Sequence, residues 1–187
     1  MLFRSPKTLD AALRAAGAVV HGVDLVMEGK ASSAFCAVRP PGHHAERHRA
    51  MGFCYFNNVA VGAAYALDVH GLDRVAIVDF DVHHGNGTED IFQRDSRVLF
   101  CSSFQHPFYP FTGHDSESDH VVNIPLAAGA AGTDFRARTA QHWLPALECF
   151  KPQLILISAG FDAHAEDEID RKSTRLNSSH VSQLVCR

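Results

Sequence analysis

Hydrophobic positions along this 187-residue chain follow two rhythms that alternate. Between Thr8 and Gly29, Leu9, Leu13, Val20, Val23 and Met27 recur at helical spacing, with Thr8 as N-cap and Gly29 as C-terminal stop. A second helix is predicted from its cap Asn58 to Gly71 and a short one near 88–93. A fourth, near 134–150, contains Pro145, which should kink or split it. Short apolar runs lie between these segments: 34–38, 74–79, 98–101, 120–126 and 152–160. They lack the alternation of a half-exposed strand, so the pattern predicts an α/β fold: a parallel sheet sandwiched by helices. The length suits one core and not two.

The polar clusters fall at the ends of these strands. RPPGHHAERH follows the first, DFDVHHGNG the 74–79 strand, and SAGFDAH closes the last. In parallel sheets the carboxyl ends of the strands are where ligands gather. Carboxylates and imidazoles at the mouth of a core are costly to desolvate unless something pairs them. Asp81 and His83 are two residues apart on an extended segment, so their side chains leave the same face about 6–7 Å apart. That spacing lets both converge on a metal ion, and Asp162 can close the set from a neighbouring strand. Two carboxylates and one imidazole leave a coordination position open, as a catalytic zinc requires.

Composition narrows the field further. Hydrophobic residues make up 46% and charged residues 20%, ordinary values for a globular protein. No run approaches the roughly 18 apolar residues of a membrane span, and no signal-peptide pattern opens the chain. A net charge of −4 argues against a nucleic-acid partner. Cys36, Cys54, Cys101, Cys149 and Cys186 stand far apart and are read as reduced thiols of a cytoplasmic protein.

Taken together, RPPGHHA, GFCYFNN, VDFDVHHGNGT, SSFQHPFYP and ISAGFDAH resemble the histone deacetylase family, including bacterial class II-type deacetylases and acetylpolyamine amidohydrolases. The resemblance runs from about Pro6 to His164 and implies an arginase/deacetylase-like fold. It implies Asp81, His83 and Asp162 as Zn²⁺ ligands, and His43 and His44 as paired catalytic histidines set against Asp79 and Asn86. Asn86, where other branches carry Asp, points to the class II type. Gly52, Phe53 and Tyr109 fall where the family builds a narrow channel for an acetylated amine chain. Asp79, Asp81, His83 and Ser102 fall where it binds a structural K⁺. Phe111 departs from the glycine expected after FYP.

The implied reaction is hydrolysis of the acetamide of acetyl-lysine or acetylated polyamines by a metal-activated water, with His44 as base and His43 mainly electrostatic. A carboxylate partner raises imidazole basicity and an amide does not, so His43 should hold its proton more persistently than His44. His48, His70, His106, His114, His120 and His142 are read as surface histidines, and His164, beside Asp162, is ambiguous. A two-manganese ureohydrolase needs additional carboxylates, but Gly85 occupies the second position after His83 and GFDAH offers one Asp. A non-catalytic binder of acetylated ligands is the other alternative.

The family's fold extends past this chain at both ends, and the glycine-rich segment carrying its carbonyl-polarising tyrosine is not found here. Residues 1–169 are therefore expected to be a partial domain, truncated at both ends and at best weakly active. Asp170–His180 back-translates to a sequence resembling a sequencing-library adapter, so 170–187 are expected to be non-native read-through.

Overall fold

A computed structural model describes residues 5–163 and 182–186. The elements, in chain order, are α1 (Thr8–Met27), β1 (Ser33–Cys36), α2 (Asn58–Asp68), β2 (Val75–Asp79), α3 (Asn86–Phe92), β3 (Val98–Gln105), β4 (Val121–Leu126), α4 (Gly132–Phe150), β5 (Leu154–Ala159) and β6 (Ser182–Cys186). One six-stranded sheet has the order β1-β6-β5-β2-β3-β4. β5, β2, β3 and β4 are mutually parallel, as their unbroken apolar runs require. The sheet as a whole is mixed, because β6 pairs antiparallel with both β5 and β1. This strand was not anticipated: it comes from the segment read as adapter, of which 170–181 and 187 lie outside the described residues.

Two apolar layers hold the sheet. On one face α1 and α2 contribute Val19, Val23, Val59 and Ala63, packed over Ile77, Phe100, Leu154 and Leu156. On the other, Trp143 of α4 covers Ala76, Leu99, Cys101 and Ile124, and its Nε1 donates to the Val122 carbonyl at 3.2 Å. Each large buried side chain adds about 1.5–3 kcal/mol through removal from water. Helices therefore lie on both faces.

Three details differ from the sequence reading. In α1, Leu9 and Leu13 point outward and the buried stripe is Ala12, Ala15, Ala16, Val19, Val23 and Val26. Small residues let this helix lie close to α2, so they and not the leucines form its inner face. The cap of α2 is Asn57, whose side chain accepts from Ala60 N at 3.1 Å, one residue earlier than expected. Pro145 sits inside α4 without splitting it. Pro125 is tolerated because β4 is an edge strand. All five cysteines are free; Cys36, Cys54 and Cys101 are buried. Among the described residues no helix is long and apolar enough to cross a membrane.

Candidate metal centre

The carboxyl ends of β2 and β5 lie side by side because Asp79 and Ser158 are in register, and Asp81 and Asp162 follow each strand by a few residues. Among the described residues, Asp81, His83 and Asp162 form a group with one potential ligand atom each, all within 4.8 Å of one another. His83 Nδ1 lies 2.9 Å from Asp81 Oδ1 and 3.2 Å from Asp162 Oδ2. The second oxygen of Asp162 is anchored by Val82 N at 3.0 Å. Burial disfavours a charge on His83, but hydrogen bonds and attraction from Asp162 and Asp81 outweigh it and lift its pKa to about 10. Two buried carboxylates flanking one imidazole are a donor set that fits a divalent cation. A cavity of about 410 Å³, lined in part by Phe80, Phe104, Leu126, Phe135 and Phe161, reaches Asp81 from one side.

His43 and His44 sit beside this set, their ring centroids 4.0 Å apart, and His44 lies 5.8 Å from His83. Both are buried. His43 Nδ1 is 2.9 Å from Asp79 Oδ2, and its Nε2 is 3.9 Å from Asp81 Oδ1. Burial opposes a charge here too, yet the two carboxylates prevail and raise His43 to about 9. His44 Nδ1 is 2.8 Å from Asn86 Oδ1. Burial and the neighbouring His43 charge press its pKa down to about 2, against the Asn86 hydrogen bond. The Asn86 amide cannot rotate freely, since its Nδ2 donates to Glu46 Oε1 at 2.8 Å. Its oxygen must therefore face His44, which places the imidazole proton on Nδ1 and leaves Nε2 with a free lone pair.

The channel residues divide. The Tyr109 ring stands edge-on to His44 at 5.1 Å and to His83 at 6.0 Å. Gly52, at φ +55°, lies so close to the His44 ring that any side chain would collide with it. Phe53 is half-exposed beside it, at φ 63°. Ser102 is in register with Asp79 on β3, and its buried Oγ has no hydrogen-bond partner. The same holds for Ser158 Oγ, on the other side of Asp79. His164 lies outside the described residues.

Two residues escaped the sequence reading. Glu46 orients Asn86, and Phe108 stacks on His83 at 5.1 Å and 21°. Phe108 was legible within SSFQHPFYP, next to the Tyr109 that was singled out. Glu46 carried no signal, because its partner lies 40 residues away.

A histone deacetylase domain model matches residues 2–185. The chain is 42% identical over 166 residues to a probable deacetylase of Archaeoglobus fulgidus, covering 86% of this chain and 46% of that protein. It is 39% identical over 189 residues to a histone deacetylase-like amidohydrolase of Pseudomonas aeruginosa, covering 97% and 50%. The crystal structure of the HDA15 HD domain superposes with a TM-score of 0.80 at 40% identity, over 86% of this chain and 48% of that one. The chain thus spans about half the length of these relatives. With that breadth of agreement in sequence and fold, the chain belongs to the histone deacetylase family.

Proposed function

We propose that the protein of which this chain is part is a zinc-dependent deacetylase that hydrolyses the acetamide of acetyl-lysine or of acetylated polyamines. The observation that carries this reading is the Asp81–His83–Asp162 donor set, with a neutral imidazole beside it. Zinc bound there would polarise the acetamide carbonyl and acidify the attacking water. His44, kept uncharged with Nε2 free, takes the water proton at that atom. His43 carries positive charge at neutral pH and lends it to the side of the site where oxyanion charge develops. Asp79 holds His43 through Nδ1, and Asn86 holds His44. Tyr109 and Phe108 form an aromatic wall against which the acetylated chain lies, and Gly52 and Phe53 flank His44 from the other loop.

A K⁺ ion is proposed near Asp79, Asp81, His83 and Ser102. The buried, unpartnered Ser102 Oγ beside the buried Asp79 carboxylate supports it.

Metal analysis paired with an acetyl-lysine peptide assay on the longest gene product containing this chain tests the reading. One zinc per chain with release of acetate is expected. Two manganese ions per chain, or tight peptide binding without acetate release, would overturn it.

A further inference from the structure

His84 follows a proposed zinc ligand, but its side chain enters a different network. It is buried, lying 4.6 Å from the Phe104 ring, and both ring nitrogens are occupied. Nδ1 is 2.9 Å from Thr112 Oγ1 and Nε2 is 2.8 Å from Glu89 Oε2. Glu89 collects two further donors, Asn123 Nδ2 at 2.7 Å and the Ser116 hydroxyl. Asn123 Nδ2 also reaches the Gly113 carbonyl at 2.8 Å. Burial works against charge on Glu89, yet donation from His84, Ser116 and Asn123 keeps its carboxyl below the usual range. An ionised carboxylate only accepts, so His84 Nε2 donates to it and Nδ1 is free to accept from the Thr112 hydroxyl. Gly113, at φ +85°, lies against the His84 ring, and a Cβ there would stand 2.5 Å from Nε2.

Three of the five residues from Thr112 to Ser116 are thereby tied to α3, β4 and the end of β2. The same loop, a few residues earlier, carries the Phe108 ring against His83 and Tyr109 against His44. Within it, Phe111 N donates to the Phe108 carbonyl at 2.7 Å and closes a turn. The same short helix, α3, also supplies Asn86, one turn before Glu89, to hold His44.

We propose that Glu89, acting through His84, Thr112, Ser116 and Asn123, is a positioning residue that locks the 106–116 loop so that Phe108 and Tyr109 keep their places over the metal centre. The catalytic part of this inference rests on the deacetylase reading; the conformational part does not. Deleting the Glu89 carboxylate removes one hydrogen bond to the loop itself, from Ser116, and frees His84 and Asn123, the side chains that hold Thr112 and Gly113, while leaving Asp81, His83 and Asp162 untouched. The effect should fall on substrate binding and not on the chemical step.

The test compares Glu89→Ala, Glu89→Gln, Thr112→Val and the core variant Val26→Ala, all zinc-loaded. Amide hydrogen exchange and steady-state kinetics on an acetyl-lysine peptide are the two measurements. Glu89→Ala should speed exchange at amides 108–116 by about tenfold while amides of β3 keep their protection. KM should rise by about tenfold with kcat nearly unchanged, and zinc content should stay at one per chain. Glu89→Gln keeps one acceptor oxygen and should recover part of both effects, and Thr112→Val should show a smaller version. Val26→Ala should lower the unfolding midpoint without changing KM. Unchanged loop exchange in Glu89→Ala, or a parallel loss of kcat and KM effects matched by Val26→Ala, overturns the proposal. Should Glu89→Ala fail to fold, Thr112→Val alone decides on the same two measurements. An unmodified protein that shows no acetate release, with loop exchange still faster in the variants, refutes the deacetylase reading and leaves the loop lock standing.

Discussion

The two halves of the site behind His43 and His44 differ more than the two rings do. Both imidazoles are buried and their centroids are 4.0 Å apart. Behind His43 stand two carboxylates, Asp79 and Asp81, and the ring is pushed up to about 9. Behind His44 stands an amide whose donor end is already committed to Glu46, and the ring is pushed down to about 2. Burial disfavours charge on both, so the partner behind each ring decides which one carries the proton. One imidazole is held charged and its neighbour neutral within a single pocket, without any difference in residue type.

Removing a carboxylate that serves both the donor set and His43 should have the largest effect. Asp81→Asn is expected to empty the site of zinc and lower turnover at least about a thousandfold, read by metal analysis and acetate release. Retained zinc with near-normal rates would mean that the ion sits elsewhere.

Next is Asp79→Asn, which removes the principal charge behind His43. The His43 pKa is raised above its ordinary 6.5 in the folded chain, so its stabilisation is complete below pH 6.5 and is lost as pH rises through about 9. Metal-free chain should therefore lose about 3 kcal/mol of unfolding free energy across that window, and Asp79→Asn should flatten the profile. Urea midpoints at pH 6, 8 and 10 measure this; parallel profiles for the two proteins would count against a charged His43.

Asn86→Asp makes the two halves alike. A carboxylate behind His44 should raise its pKa and move the acid limb of kcat/KM upward by about one to three units. Glu46 would then face a second carboxylate 2.8 Å from its own oxygen, so Asn86→Asp is best combined with Glu46→Gln. An acid limb that stays in place would remove His44 from the role of base.

The smallest effect is expected far from the site. Asp24 pairs with His70 and Tyr65 at 2.9 Å, mainly through hydrogen bonds that lower its pKa, but the group is solvent-accessible. Asp24→Asn should change stability by less than about 0.5 kcal/mol in thermal unfolding and leave kcat/KM alone. It marks how much of the His43 effect comes from burial.

Much of this arrangement is legible in the sequence. The spacing of Asp81 and His83 and the polar clusters at the strand ends follow from short stretches of chain, whereas the pairing of His43 with Asp79, 36 residues away, was implied only by the family resemblance. Local errors had local causes. The α2 cap falls one residue earlier because two asparagines stand together and either can cap, and the inner face of α1 is made of alanines and valines, whose small side chains give a weaker hydrophobic rhythm than the outward-facing leucines. The antiparallel β6 carried no readable signal, because its pairing depends on which edge of β5 is left open.

The chain by itself therefore determined the alternating elements, the parallel core of the sheet and the residue types that gather at its carboxyl ends, since each depends on neighbours within a turn or a strand. Only the tertiary structure decided that Glu46 turns the Asn86 amide, that Glu89 and His84 hold the Tyr109 loop, and which of two adjacent imidazoles is charged. Those outcomes rest on partners 5 to 40 residues apart meeting in a buried, low-dielectric space, where a single carboxylate or amide oxygen fixes the position of a proton.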